Sequence, residues 1–222
     1  MFNLPFSQRE FLELFSTYNQ AIWPAQIIAY MLGAIVVGMA LWPGRLTSKT
    51  IVAILAAFWI WTGGAYHIAY FGTINSAAYL FGALFIVEGI LLIWAGFRQD
   101  RLKFQFNFNT YGVTGALMIA YAMIIYPIIG YELGHGYPSA PMFGVAPCPM
   151  VIFTFGILLW AAPRVPGWLL VIPGLWSIIG FTAATKLGML EDTGLLVAGI
   201  LGITMLRLKA KSETLNHMKV SS

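Results

Sequence analysis

Apolar positions along the chain fall into seven long blocks: 24–42, 50–71, 77–97, 111–130, 145–162, 166–185 and 192–208. Each is close to the roughly 20 residues that a helix needs to cross the hydrocarbon of a bilayer. The blocks are continuous and show no period-2 alternation, which predicts helices rather than the strands of a barrel. Residues 7–18 follow a different rule. Ser7 and Glu10 have capping-box spacing, and Phe11, Leu14, Phe15 and Tyr18 then recur at i, i+3, i+4 and i+7. That pattern predicts an amphipathic helix lying on the membrane surface. The expected fold class is all-α and polytopic. An outer interfacial helix within 1–22 precedes a seven-helix transmembrane domain over 23–208, and a polar cytoplasmic tail occupies 209–222.

The polar residues between the blocks give the array a direction. Ten of the 12 Lys and Arg residues follow the first, third, fifth and seventh blocks: Arg45, Lys49, Arg98, Arg101, Lys103, Arg164, Arg207, Lys209, Lys211 and Lys219. The alternate set of connections holds only Arg9 and Lys186. Basic residues in short loops stay cytoplasmic, so the N-terminus is expected outside and the C-terminus inside. Composition agrees, with 59% hydrophobic residues, 9% charged residues and a mean hydropathy of +0.80. A soluble domain carries about 25% charge. The net charge of +4 is this loop bias and carries no nucleic-acid signal. Arg9, Glu10 and Glu13 interrupt any apolar leader, so no cleavable signal peptide is expected. The single cysteine, Cys148, forms no internal disulfide. Trp23, Trp42, Tyr111 and Trp168 lie near block ends, where amphipathic rings favour the interface. The loop 98–110 reads as a polar connection, and 131–144, rich in Gly, Pro and aromatics, as an ordered one.

A shift of 117 residues aligns Trp59 with Trp176, Gly63 with Gly180, Asn75 with Asp192 and Gly82 with Gly199. Pro43-Gly44 and Pro166-Gly167 precede the two copies at slightly different offsets. Two three-span units can point the same way only when an odd number of spans separates them. The fourth block supplies that inversion, giving a 3+1+3 parallel repeat of the kind transporters use. This layout resembles the sugar transporters called SWEETs, in which a Trp on the second and sixth spans and an Asn on the third and seventh line the sugar site. Trp59, Trp176, Asn75 and Asp192 have that order here, with Asp at the last position and no Pro-Gln near the first span. A second resemblance covers most of the chain. YNQAIWPAQ (18–26), TINSAAYLFGALF (73–85) and GYPSAPMFGVAPCPMVIFTFG (136–156) are similar to the motifs of an uncharacterised bacterial multi-span membrane family. That resemblance implies a bacterial inner-membrane location and no particular reaction.

Candidate chemistry gathers at the expected outer side. His67, Asn75, Glu132, His135, Cys148, Lys186, Glu191 and Asp192 all fall there, which predicts an outward-facing polar vestibule. Substrate contacts are expected from Trp59, His67, Asn75, Tyr137, Trp176 and Asp192. Glu88 is the one acidic residue deep within a block. Such a carboxylate must face the interior, be protonated or be paired, and it is the candidate for proton coupling. Cys148, flanked by Pro147 and Pro149, offers a soft ligand, with His67 and His135 as partners if a metal is bound. The same prolines also suit a helix start. No HExxH, GxSxG or P-loop motif occurs, so neither an enzyme nor a cofactor is expected. The leading expectation is a small-solute transporter or permease embedded in the lipid bilayer, with a homo-oligomer as one form it can take. The alternatives are a metal-handling protein and a non-transporting sensor or partner subunit.

Overall fold

The computed structural model describes residues 4–99 and 102–220, with side chains as far as Ser212. Arg101 and the Lys219 side chain, counted above in the basic set, lie outside that description. Among the described residues there are eight helices and a two-stranded sheet. In chain order these are α1 (Gln8–Ala21), α2 (Ala25–Leu41), α3 (Thr47–Thr73), α4 (Ala78–Arg98), β1 (Leu102–Phe104), α5 (Thr110–Glu132), α6 (Pro147–Leu159), β2 (Ala161–Pro163), α7 (Gly167–Leu187) and α8 (Thr193–Val220). The last helix runs through most of the predicted polar tail.

Five helical segments have the length and hydropathy to cross a membrane: α3, α4, α5, α7, and α8 with the turn before it. The number is six if α1 and α2, bent by 83°, are counted as one broken span. This is the helix set of a multi-pass membrane protein. Where the sequence predicts seven crossings, α2 with 17 residues and α6 with 13 are the short ones. At 1.5 Å per residue α6 extends roughly 20 Å, against a hydrocarbon thickness of about 30 Å. Pro147 opens α6 at its first turn, and past Trp160 the chain turns extended into β2. There Leu102, Lys103 and Phe104 pair antiparallel with Pro163, Ala162 and Ala161. The loop 98–110 is therefore more than a polar connection: Leu102 and Phe104 alternate with exposed Lys103 and are buried. This short period-2 signal was masked by the polar residues around it.

All thirteen residues of α6 are buried, so it forms the axis around which α3, α5, α7 and α8 pack. Close approach to α5 rests on two glycines. A Cβ built on Gly115 would stand 2.6 Å from the Gly156 carbonyl oxygen, and one built on Gly156 would stand 2.8 Å from that of Gly115. Gly63 and Gly82 make the same reciprocal contact between α3 and α4, at 2.7 Å each way. Helices in lipid gain no hydrophobic drive from meeting one another, so such backbone proximity supplies the packing. At the far end of α6, the Lys209 ammonium donates to the carbonyl of Leu159, an acceptor the helix leaves open, and to that of Ala161 at the start of β2.

At the other end, α1 folds back over the bundle. Ser7 and Glu10 close the capping box, and Leu14, Phe15 and Tyr18 face inward as the spacing predicts. The Tyr18 hydroxyl donates to the Val145 carbonyl at 2.9 Å and accepts from the Trp61 indole at 3.0 Å. The Asn19 amide donates to the carbonyls of Pro138 and Ala140, at 2.7 Å each. These bonds fix the loop 133–146 against α1. The Ser7 backbone N–H and hydroxyl hold the Glu10 carboxyl below its ordinary range. A folded value below the unfolded one means the cap contributes above the unfolded pKa, about 4.3. It is lost as pH falls through the lower folded value. Amide protection in the first turn of α1 is expected to drop on acidification through that window, and in Glu10→Gln to lose the pH dependence. Protection factors measured by hydrogen exchange check this.

Candidate functional site

A cavity of about 530 Å³ opens at the end of the bundle where α1, the start of α6 and the α7–α8 turn meet. Its walls are aromatic and aliphatic: Phe6, Phe11 and Phe15 from the α1 side, Tyr66 and Phe71 from α3, and Phe81 from α4. The apolar face of α1 thus roofs a cavity. Ring contacts hold the roof down, Phe6 on Phe71 at 5.3 Å and Phe15 on Tyr66 at 5.1 Å.

Cys148, Trp176 and Asp192 form the floor of the cavity, and Asn75, Thr182 and Lys186 are the other polar side chains that line it. Asp192 is 4% exposed; its carboxylate accepts from the Tyr126 hydroxyl at 2.6 Å and lies against the Cys148 thiol. Glu191, its neighbour, is buried and pairs with His135 Nδ1 at 3.1 Å, while its second oxygen has no partner. Local backbone geometry brings these groups together. Residues 121–125 of α5 form a π-helical turn, which widens the helix and carries Tyr121 and Tyr126, five apart, onto neighbouring positions. Both then reach the same short turn, because the Tyr121 hydroxyl donates to the Glu191 carbonyl at 2.7 Å. Gly188, at φ +68°, ends α7 in the left-handed conformation that favours glycine and directs the chain into Leu190–Asp192.

Below the floor the interior closes. His67 lies behind Trp176, with ring centroids 4.9 Å apart, and against Phe85 at 4.6 Å. Among the described residues neither of its nitrogens has a hydrogen-bond partner, and the same holds for both Glu88 oxygens and the Thr62 hydroxyl. His67 and Thr62 belong to a second π-helical stretch, Thr62–Tyr70. Each unpartnered buried group costs about 1–3 kcal/mol, so this column is expensive for the fold to maintain. Trp59 is fully buried, donating to the Thr154 hydroxyl at 3.1 Å and tilted on Phe85 at 4.6 Å.

The sequence-predicted residues therefore separate into groups. Asn75, Trp176, Asp192 and Cys148 meet at the cavity; Asn75 sits at its edge, where its side-chain oxygen also accepts from the Ala77 N–H at 3.1 Å. Trp59, His67 and Glu88 are packed beneath it. Tyr137 is half-exposed on the loop, 6.2 Å from the Trp23 ring, and does not line the cavity. Cys148, His67 and His135 are not gathered: among the described residues no three His, Cys, Asp or Glu side chains are placed to hold a metal ion. Tyr126 and Tyr121, which hold the Leu190–Asp192 turn from behind without lining the cavity, were missed; Glu191 was expected at the outer side but not as the partner of His135. The signal was an acidic pair at a span start, with no sequence mark for the tyrosines facing it.

A family model described as a family of unknown function, DUF6064, matches residues 8–217. The chain belongs to that family. The match runs from the start of α1 to residue 217 in α8, and leaves out Leu4, Pro5 and Phe6 of the cavity lining. The chain matches no curated protein and no solved structure.

Proposed function

We propose that this DUF6064 protein is a carrier for a small, mainly apolar solute bearing one hydrogen-bonding group, and that it is not an enzyme. The observation that carries this reading is the cavity, with its aromatic walls and its polar floor at Asp192, Cys148 and Trp176. Ligand sites are commonly apolar pockets with a few placed polar groups. The apolar lining replaces the polar vestibule that the sequence led us to expect, and shifts the solute class away from sugars. In this reading α2 to α8 cross the membrane seven times, in a bacterial inner membrane, with the N-terminus outside and the basic end in the cytoplasm. Placement of Arg45, Lys49, Arg98, Lys103, Arg164, Arg207, Lys209 and Lys211 at one end of the bundle supports that orientation. The cavity then faces outward and Trp176 over His67 closes the inner side. Trp59 and Trp176, equivalent in the 3+1+3 repeat, both rest on Phe85. Rocking of one unit against the other would part them and hydrate Glu88, the coupling carboxylate.

Cys148 supplies the test, because the chain contains no other thiol and this one lines the cavity. A small uncharged maleimide is expected to label it slowly in detergent, because the thiol is buried against Asp192 and reached only through the cavity. Medium-chain alcohols, an apolar chain with one hydroxyl donor for Asp192, should slow labelling and raise thermal stability, whereas hexoses should do neither. Labelling that no such solute slows would sink the reading. A packed interior around Glu88 also favours a non-transporting sensor or partner subunit. Proteoliposomes separate the two: binding with solute flux supports the carrier, and binding without flux the sensor.

A further inference from the structure

We propose that a pocket at the basic end of the bundle binds the phosphate-bearing head group of an anionic membrane phospholipid. The pocket, about 380 Å³, is lined by Gly44, Arg45, Ser48, Lys49, Phe97 and Lys103. Its three cations come from separate elements: Arg45 from the turn before α3, Lys49 from the first turn of α3 and Lys103 from β1. Among the described lining residues none is acidic, and Lys103 has a further interaction of its own.

The elements are tied together. The Gly44 N–H donates to the Thr47 hydroxyl at 2.6 Å, which sets the turn carrying Arg45. The Phe104 N–H donates to the Ser48 hydroxyl at 3.1 Å, which holds β1, and so Lys103, beside the start of α3. Ser48 accepts in that bond and keeps its own proton for an incoming oxygen. The first turn of α3 adds the positive end of a long helix beside those side chains.

Lipid is favoured over a free anion by what borders the pocket. Phe97 lines it and is half-exposed, Trp94 is exposed one turn away, and Trp42 and Leu46 flank Gly44 and Arg45 in the chain, 78% and 65% exposed. A soluble anion gains nothing from such surface, whereas acyl chains leaving a head group would lie along it. Basic pockets between helices on the cytoplasmic side are the chemistry that binds anionic head groups. A second basic pocket, lined by Arg164, Arg207 and Lys211, has about 200 Å³ and serves as the charge-matched control.

The experiment is a thermal-stability titration of the full chain in uncharged detergent with short-chain phosphatidylglycerol, phosphatidylcholine or inorganic phosphate. Phosphatidylglycerol alone is expected to raise the midpoint. Each cation near an anionic surface is worth about fivefold in affinity, so Arg45→Gln/Lys49→Gln/Lys103→Gln should weaken the response by roughly a hundredfold. Lys49→Gln alone should weaken it by about fivefold, and remains readable if the triple variant folds poorly. Arg164→Gln/Arg207→Gln/Lys211→Gln should change it less than fivefold if diffuse charge is a minor contributor. Equal loss in the two triple variants would overturn the proposal in favour of diffuse attraction. An equal response to inorganic phosphate would assign a free-anion site instead. No response to phosphatidylglycerol would end the idea.

Discussion

Gly156→Leu is expected to yield no folded protein on extraction, while Gly38→Ala yields protein at least as stable as the parent. The difference lies in what a side chain would meet. A Cβ on Gly156 would stand 2.8 Å from both the Gly115 carbonyl oxygen and Ile119 Cγ1, and 3.2 Å from the Ile119 nitrogen. Two of those atoms are backbone, so no rotamer change relieves the contact. Nor can α6 move away, because every one of its residues is buried. Overpacking a core typically costs about 1–3 kcal/mol, and a leucine forced between two backbones belongs at or beyond the top of that range. A Cβ on Gly38 meets nothing within 4 Å, and alanine there gains up to about 1 kcal/mol of helix propensity. Thermal midpoints in one detergent, with Gly156→Ala as the intermediate case, measure the series. A Gly156→Leu protein that melts with the parent would disprove the packing argument for α6.

The second large effect concerns the cavity floor. Asp192→Ala is expected to weaken the binding of a hydrogen-bonding solute by about fivefold, since a hydrogen bond contributes about 1 kcal/mol. The same change removes the acceptor of the buried Tyr126 hydroxyl, so it also lowers stability. Asp192→Asn separates the two consequences. Its amide oxygen still accepts from Tyr126, which preserves the fold, but an amide N–H₂ replaces the second carboxyl oxygen that would meet a solute donor. Tyr126→Phe makes the opposite cut, keeping the carboxylate on the floor. Affinity is expected to fall in Asp192→Asn and to stay within about threefold in Tyr126→Phe, where only a neutral bond of about 1 kcal/mol is lost. If both Asp192 variants bind the solute like the parent, the floor does not contact it.

Much of the fold was legible because its signals are local. Ser7 and Glu10 stand three residues apart, and that spacing alone specifies the cap. Apolar blocks of about 20 residues announced α3, α4, α5, α7 and α8. The hydropathy that marks a span cannot, however, tell lipid contact from protein contact. Thus α6, apolar because protein surrounds it on every side, read the same as its lipid-facing neighbours. The site was legible residue by residue and illegible as an arrangement. Asp192 and Cys148 were recognisable as polar groups at one end, but Tyr126 reaches Asp192 only through a π-helical turn that leaves no sequence mark. Likewise Phe11 and Phe15 had the period of a surface helix, and only the 83° bend between α1 and α2 turns that face onto a cavity.

The shortness of α6 carries a consequence for how the protein is made. A thirteen-residue segment ending in Lys209-capped carbonyls and a β-ladder has no stable resting place in lipid by itself. Its ladder partner, β1, emerges earlier in synthesis, whereas Lys209 emerges fifty residues after Leu159. The axis of the molecule must therefore wait, partly paired and unshielded, until the final helix arrives to close around it. Truncation before α8 should accordingly leave a chain that the cell's membrane quality control removes, even though most of its spans are already in place.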